Sequence, residues 1–237
     1  TSARVVRVQA LVAQPSPAGA RHFDELAAVP ELPIPAQTED PLGRGPVSRE
    51  LADGRLNLIW APAQVYVDDP AKVARATTQE RFAGSVTERT LAVISAAQSS
   101  VFIVSPYFIP GDVGLSIMRD ASQRGVTTTV LTNSLGATDE AVVHFAYARY
   151  RPRMLALGVR LYEMSPVLSR RLTKLGNFGR SQGRLHAKVA FIDGRRIFVG
   201  SMNLDGRSAS LNTEIGLLIE SQELVSDFRR LMDGDRF

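Results

Sequence analysis

The stretch Arg184-Leu-His-Ala-Lys-Val-Ala-Phe-Ile-Asp193, continued by Gly194-Arg-Arg-Ile-Phe-Val-Gly-Ser-Met-Asn203, decides how this chain is read. Its apolar positions alternate as a strand requires, and Asp193-Gly194 between two apolar runs is a strong signal for a two-residue hairpin turn. Residues two apart on a strand share a face. His186 and Lys188 are therefore predicted to point the same way, with Leu185, Ala187 and Val189 packed on the other side. An imidazole beside an ammonium suits attack on a phosphodiester. Histidine is a nucleophile toward phosphorus, and lysine holds the anionic oxygens that gain charge in the transition state. A dry core histidine would be an odd neighbour for this lysine, because lysine is almost never fully buried unless paired. Ser201 and Asn203, again two apart, supply a hydroxyl and an amide, to contact phosphate or to cap the turn after the strand.

Two acids complete the pattern. Asp193 reads first as a turn former, since Asp-Gly suits the tight turn between the two runs. Glu214 lies in Leu211-Asn-Thr-Glu-Ile-Gly-Leu-Leu-Ile219, a run that reads as a buried strand with polar interruptions. A carboxylate there is costly unless paired. Its expected partner is the free ring nitrogen of His186, and the alternative is a salt bridge to an arginine.

The chain has 237 residues, 44% hydrophobic and 22% charged, with no cysteine and a net charge of +4. That composition describes a globular protein long enough for a sizeable core. Disulfides and thiolate metal sites are excluded, and the three histidines show no zinc-binding spacing. No apolar run reaches the length of about 18 residues that a membrane-spanning helix needs. Between Arg149 and Lys188 the basic residues far outnumber the single acid, Glu163. Such a stretch leading into a phosphate-type motif fits an anionic lipid surface or a nucleic acid, or else a solvated face in an arginine-rich composition.

Residues 1–53, rich in Pro and Ala, read as a loosely ordered connector, and 54–237 as the folded unit. The opening Thr1-Ser-Ala-Arg reads as a cut inside a longer protein. Strands are predicted at Leu56–Trp60 and Gln64–Val67. Ser85-Val-Thr-Glu88 reads as a capping box opening a helix to about Ser99. A strand Ser100–Ser105, a helix Gly111–Arg124, a strand Val126–Thr132, a helix from Thr138 to about Leu157 and a strand Val159–Glu163 follow. This alternation predicts an α/β fold: a mixed, largely parallel sheet with helices on both faces. The hairpin and the Glu214 strand join it as antiparallel or mixed members. Met164–Gly183 mixes apolar and basic residues, which suits a loop or short amphipathic helix resting on an anionic bilayer.

The H-x-K-x-x-x-x-D and G-S-x-N pattern resembles the signature of the phospholipase D superfamily. Ser105-Pro-Tyr-Phe-Ile-Pro-Gly111, Thr132-Asn-Ser-Leu-Gly-Ala-Thr-Asp139, Tyr147-Ala-Arg-Tyr-Arg151 and Gly158-Val-Arg-Leu-Tyr-Glu163 are similar to the carboxy-terminal half of bacterial cardiolipin synthases. The resemblance covers roughly residues 55 to 230. It implies a phospholipase D-like fold, with His186, Lys188, Asp193 and Glu214 in the catalytic set and Lys188, Ser201 and Asn203 on the substrate phosphate. Glu214 would orient the histidine. The reaction implied has two steps: one histidine attacks phosphorus and forms a phosphohistidine, while a second protonates the leaving oxygen. Family members carry two H-x-K motifs and this chain carries one, since neither His22 nor His144 has a lysine two residues on. The second is expected from a missing amino-terminal half or from a homodimer mate.

The leading expectation is phosphatidyl transfer to a polyol acceptor, with a phospholipid substrate and peripheral attachment to the bacterial inner membrane. Alternatives are a homodimeric nuclease of the same superfamily and an inactive half that only binds phosphate ligands. No cofactor is expected, and one acid, Glu214, is too few for a hard-cation site. Activity should accordingly survive exhaustive chelation. Complete loss restored by adding Mg²⁺ or Zn²⁺ would contradict the covalent histidine mechanism.

Overall fold

The computed structural model describes residues 51–54, 58–164 and 185–233, with side chains to 230. Nearly all of the expected connector, the loop after Met164 and Arg184 lie outside these residues. Seven strands form one sheet: β1 (Ala63–Val67), β2 (Ser100–Val104), β3 (Thr127–Asn133), β4 (Arg160–Met164), β5 (Val189–Ile192), β6 (Arg196–Gly200) and β7 (Ile215–Glu220). Their order is β1-β7-β6-β5-β2-β3-β4. The helices are α1 (Thr78–Phe82), α2 (Val86–Ser95), α3 (Gly111–Gln123), α4 (Ala141–Ala148), α5 (Arg151–Ala156), α6 (Gly206–Ser210) and α7 (Gln222–Asp233), with a 3-10 turn at Pro70–Ala74.

The sheet is mixed, but it is not largely parallel. Only the β2–β3 and β3–β4 pairs run parallel, as the strand–helix alternation predicts, while β1, β5, β6 and β7 all pair antiparallel. A tight hairpin forces antiparallel neighbours, and β5 docks against β2 with that polarity, so half of the sheet follows it. The hairpin loop has three residues, Asp193 to Arg195, because Ile192 pairs with Arg196. Asp193 and Gly194 both take left-handed φ, 54° and 66°. No strand forms at Leu58–Trp60. The long helix expected from Thr138 is broken into α4 and α5. Pro152 lacks an N–H and its ring meets the carbonyl four residues back, so the helix restarts with proline in its first turn. The capping box of α2 is half formed: Ser85 Oγ accepts from Glu88 N at 3.1 Å, but Glu88 accepts from Gly84 N.

Strand periodicity divides the core in two. Val101, Ile103, Val130, Ala190, Ile192, Phe198 and Leu218 face one way, under α2, α3, α4 and α5. Val104, Leu131, Phe191 and Ile197 face the other, under Val225 of α7, with Phe102 and Val189 alongside. Helices thus cover both faces, as expected. Where β6 meets β7, two glycines let the strands close. A Cβ on Gly200 would lie 2.4 Å from Ile215 O, and one on Gly216 would lie 2.4 Å from the Phe198 ring.

One buried ion pair ties the outer strand to the rest. Lys72 Nζ donates to Asp68 Oδ2 at 2.6 Å and to Ser208 O at 2.9 Å, and both side chains are almost wholly buried. Asp68 also accepts from Val86 N, at the start of α2, and from Glu214 N, at the entry to β7. Removing one partner of such a pair leaves a buried charge uncompensated. Lys72→Ala should therefore lower unfolding free energy by about 3–5 kcal/mol, measured by urea denaturation. A loss below about 1 kcal/mol, the range of a surface ion pair, would contradict this.

Candidate active site

The carboxyl ends of β2 and β3, the start of β5, the end of β6 and the start of β7 meet at one end of the sheet. In open α/β sheets, that is where ligands bind. His186 and Lys188 lie in extended chain just before β5, and only Lys188 joins the ladder, its carbonyl accepting from Gly200 N at 3.1 Å. His186 is exposed and Lys188 half-buried. Asn133, at the end of β3, holds this segment in place. Its amide donates to Leu185 O at 3.1 Å and accepts from Leu185 N at 3.0 Å, clamping the peptide next to His186.

Glu214 sits one residue before β7 rather than within it, and it is buried. Its carboxylate accepts from Ser201 Oγ at 2.5 Å and from Asn212 Nδ2 at 3.2 Å. Among the described residues, no hydrogen bond joins Glu214 to the His186 ring. Ser201 also accepts from Ile215 N at 3.0 Å, which fixes the hydroxyl between the two strands. Asn203 is different: its Oδ1, an acceptor, is buried without a hydrogen-bond partner, so it can take a bond from a hydroxyl or N–H donor. Ser201, Asn203, Asn212, Thr213 and Glu214 line an open cleft of about 570 Å³.

Burial holds the Lys188 ammonium below the ordinary lysine range, while Glu214, Asp139 and Asp205 pull it the other way. Three carboxylates therefore act on this one cation. Asp139 accepts from the Tyr107 hydroxyl at 2.8 Å. Burial and that carboxylate push the Tyr107 phenol up to about 12. Asn133, Asp139, Tyr107 and Asp205 were not assigned from the residue pattern. The available signal was the polar residues within the Ser105–Gly111 and Thr132–Asp139 segments. Among the described residues, no three His, Asp or Glu side chains converge closely enough to hold a metal ion.

Asp193 lies at the opposite end of β5, about 17 Å along the chain from Lys188 at strand rise. Its carboxylate accepts from Gln98 N, Ser99 N, Ser99 Oγ and Ser100 N, and pairs with Arg196 at 3.4 Å. Burial raises its pKa, but the backbone donors of Ser99, Ser100 and Gln98 outweigh that and hold it at about 2. These bonds tie the hairpin turn to the start of β2.

Among solved structures, a phospholipase D family member, Nuc from Salmonella typhimurium, matches with a TM-score of 0.51 and 21% identity. The match covers 73% of this chain and 93% of that one. The architecture is thus phospholipase D-like. A family model described as cardiolipin synthase, PLD-like domain, matches residues 90–236, and the chain belongs to that family. Cardiolipin synthase C of Escherichia coli (strain K12) is 40% identical over 182 residues, covering 76% of this chain and 38% of that protein. The cardiolipin synthase of Geobacillus sp. (strain WCH70) is 31% identical over 141 residues, covering 58% and 24%. The chain spans well under half the length of these relatives. No helix of the described residues is long and apolar enough to cross a membrane.

The position of Asp193 makes a pH prediction. Its folded pKa of about 2 lies below the usual 3.8, so its stabilisation is fully present above about pH 4 and is lost as pH falls through about 2. The contribution is on the order of 2 kcal/mol. Asp193→Asn should lower stability at neutral pH and flatten the acid limb of a pH–stability curve, while harming turnover less than His186→Asn does. Equal losses of turnover would make Asp193 part of the chemistry.

Proposed function

We propose that this chain carries one half of the active site of a cardiolipin-synthase-type phosphatidyltransferase. The observation that supports it most is the gathering, at one sheet end, of an exposed imidazole and a partly desolvated ammonium. In this reading a ring nitrogen of His186 attacks phosphorus of a phosphatidyl donor and the P–O bond to the headgroup breaks. The leaving alkoxide takes a proton from a second histidine outside this chain. The alcohol of a polyol acceptor then attacks the phosphohistidine, its proton passing to that second histidine, and His186 is released. Lys188 holds the phosphoryl oxygens, and on Asn203 the Nδ2 group, not the oxygen, is what adds donors beside it. Ser201, expected to contact phosphate, bonds Glu214 and orders it, and the Glu214 charge supports Lys188. Asp193 holds the turn.

The need for a second half is supported by a surface. Val65 and Val67 of β1 are in register with Leu217 and Ile215 of β7, and all four are exposed on the sheet face that α7 leaves uncovered there. Ile215 adjoins Ser201 and Glu214. An apolar patch of this kind marks an interaction site, and a second half-domain or a second copy of the chain would cover it. The lipid reading is preferred to nuclease action because the relatives that the chain resembles at 40% and 31% identity are cardiolipin synthases. Peripheral attachment to the anionic face of a bacterial inner membrane follows from the same reading.

The test uses an active preparation that contains the second half or a symmetric mate. His186→Asn should reduce transfer from phosphatidylglycerol to background and abolish labelling of the protein by a phosphatidyl donor. Lys188→Ala and Asn203→Ala should each cost about 10²–10³-fold in kcat. A normal rate with His186→Asn, or salt-sensitive DNA cleavage with no lipid turnover, would overturn the proposal.

A further inference from the structure

Beside the polar cleft lies a larger cavity of different character. It has a volume of about 610 Å³, within the roughly 300–1,000 Å³ typical of small-molecule sites. It lies between one sheet face and α1, α2, α3 and α6. Leu91, Ile103, Phe108, Ile117, Met118 and Leu204 are among its walls. No Lys, Arg or His lines it, and its only charged residues are Asp112 and Asp205. Asp112 is a rim group, its side chain largely exposed. Protein interiors are close-packed, and an opening walled mostly by carbon favours apolar ligands.

Its placement matters more than its size. One end reaches Val101 and Thr128, which are partners across β2 and β3. The other reaches Leu204 and Asp205, directly after Asn203. Along β2 this is a path of about 13 Å from Val101 to the site end. Ile94 and Leu204, which wall the cavity, also wall the small void against which Lys188 packs. A cation thus stands near the head of a largely apolar slot, whose head end also carries Asp205. That pairing of charge with carbon matches one phosphate ester carrying one long hydrocarbon chain.

We propose that this cavity takes one acyl chain of the phospholipid substrate, while the phosphate rests at Lys188 and Asn203. The proposal rests on the phosphatidyl-transfer reading above and assigns that substrate's tail a place in this half of the enzyme.

The test is binding to the 237-residue chain by calorimetry, with three probes. Lauroyl lysophosphatidylglycerol monomers have head and tail, glycerophosphoglycerol has the head alone, and dodecanol has the tail alone. The lysolipid should bind more than about tenfold tighter than the head alone, since burying even a few methylenes gives that factor. Ile117→Trp, which fills the half-buried middle of the cavity, should remove this increment and dodecanol binding and leave head binding intact. Val113→Trp places its bulk at the mouth, where Val113 is 60% exposed. It tests the same point should the first variant fail to fold. An increment that survives in a folded blocking variant overturns the proposal. So does head binding without any dodecanol binding, which would leave the phosphatidyl reading standing. Dodecanol binding that either blocker removes, with neither glycerophosphate ligand bound, keeps an apolar-chain site but overturns the phosphatidyl reading and with it the substrate named here.

Discussion

The buried pair of Asp68 and Lys72 is the constraint on which the outer half of the sheet and the site both depend. A buried ion is tolerated only when its hydrogen-bonding positions are filled, and here they are filled from four segments. The Asp68 carboxylate takes Lys72, the first amide of α2 and the amide of Glu214, while Lys72 reaches back to a carbonyl of α6. The backbone amide of Asp68 closes the loop by donating to Glu214 O. Glu214 is thereby pinned on both sides of its peptide before its carboxylate meets Ser201. A residue buried beside the outer strand thus sets the position of the acid at the candidate site.

The signature stretch divides into two ends with different work. At one end of β5, the chain before the strand presents His186 and Lys188, held by the Asn133 clamp and the Gly200 amide. At the other end Asp193 collects the donors of residues 98 to 100 and fixes the turn. The glycine of the G-S-x-N element has a steric reason, since Gly200 lies too close to Ile215 O for any side chain. Close strand approach is what brings Ser201 within a short hydrogen bond of Glu214. Spacing in this signature therefore encodes a hairpin and a close strand contact as much as it encodes reactive groups.

Much of the fold was legible locally. Apolar alternation located β2, β3, β4 and the hairpin within a residue or two, and the capping serine located the start of α2. What failed depended on partners remote in sequence. The polarity of β5 beside β2 is fixed by packing of both its faces, so the parallel count was overestimated. Pro152 split a helix whose apolar pattern alone ran on unbroken. Within the site, His186 and Lys188 were legible because their chemistry and spacing are unusual. Asn133, Asp139 and Tyr107 were not, because each matters only through a bond to a residue tens of positions away.

By itself the sequence determined the α/β class, the strands of the signature and the candidate reactive residues, all of which follow from local spacing. Only the tertiary structure decided that Glu214 binds Ser201, that Asp193 lies at the far end from His186, and that an apolar cavity shares Ile94 and Leu204 with the void beside Lys188. Those facts depend on which strands become neighbours and how tightly they close. Such long-range packing has no signature in local periodicity, because the groups involved meet only after the chain between them has folded.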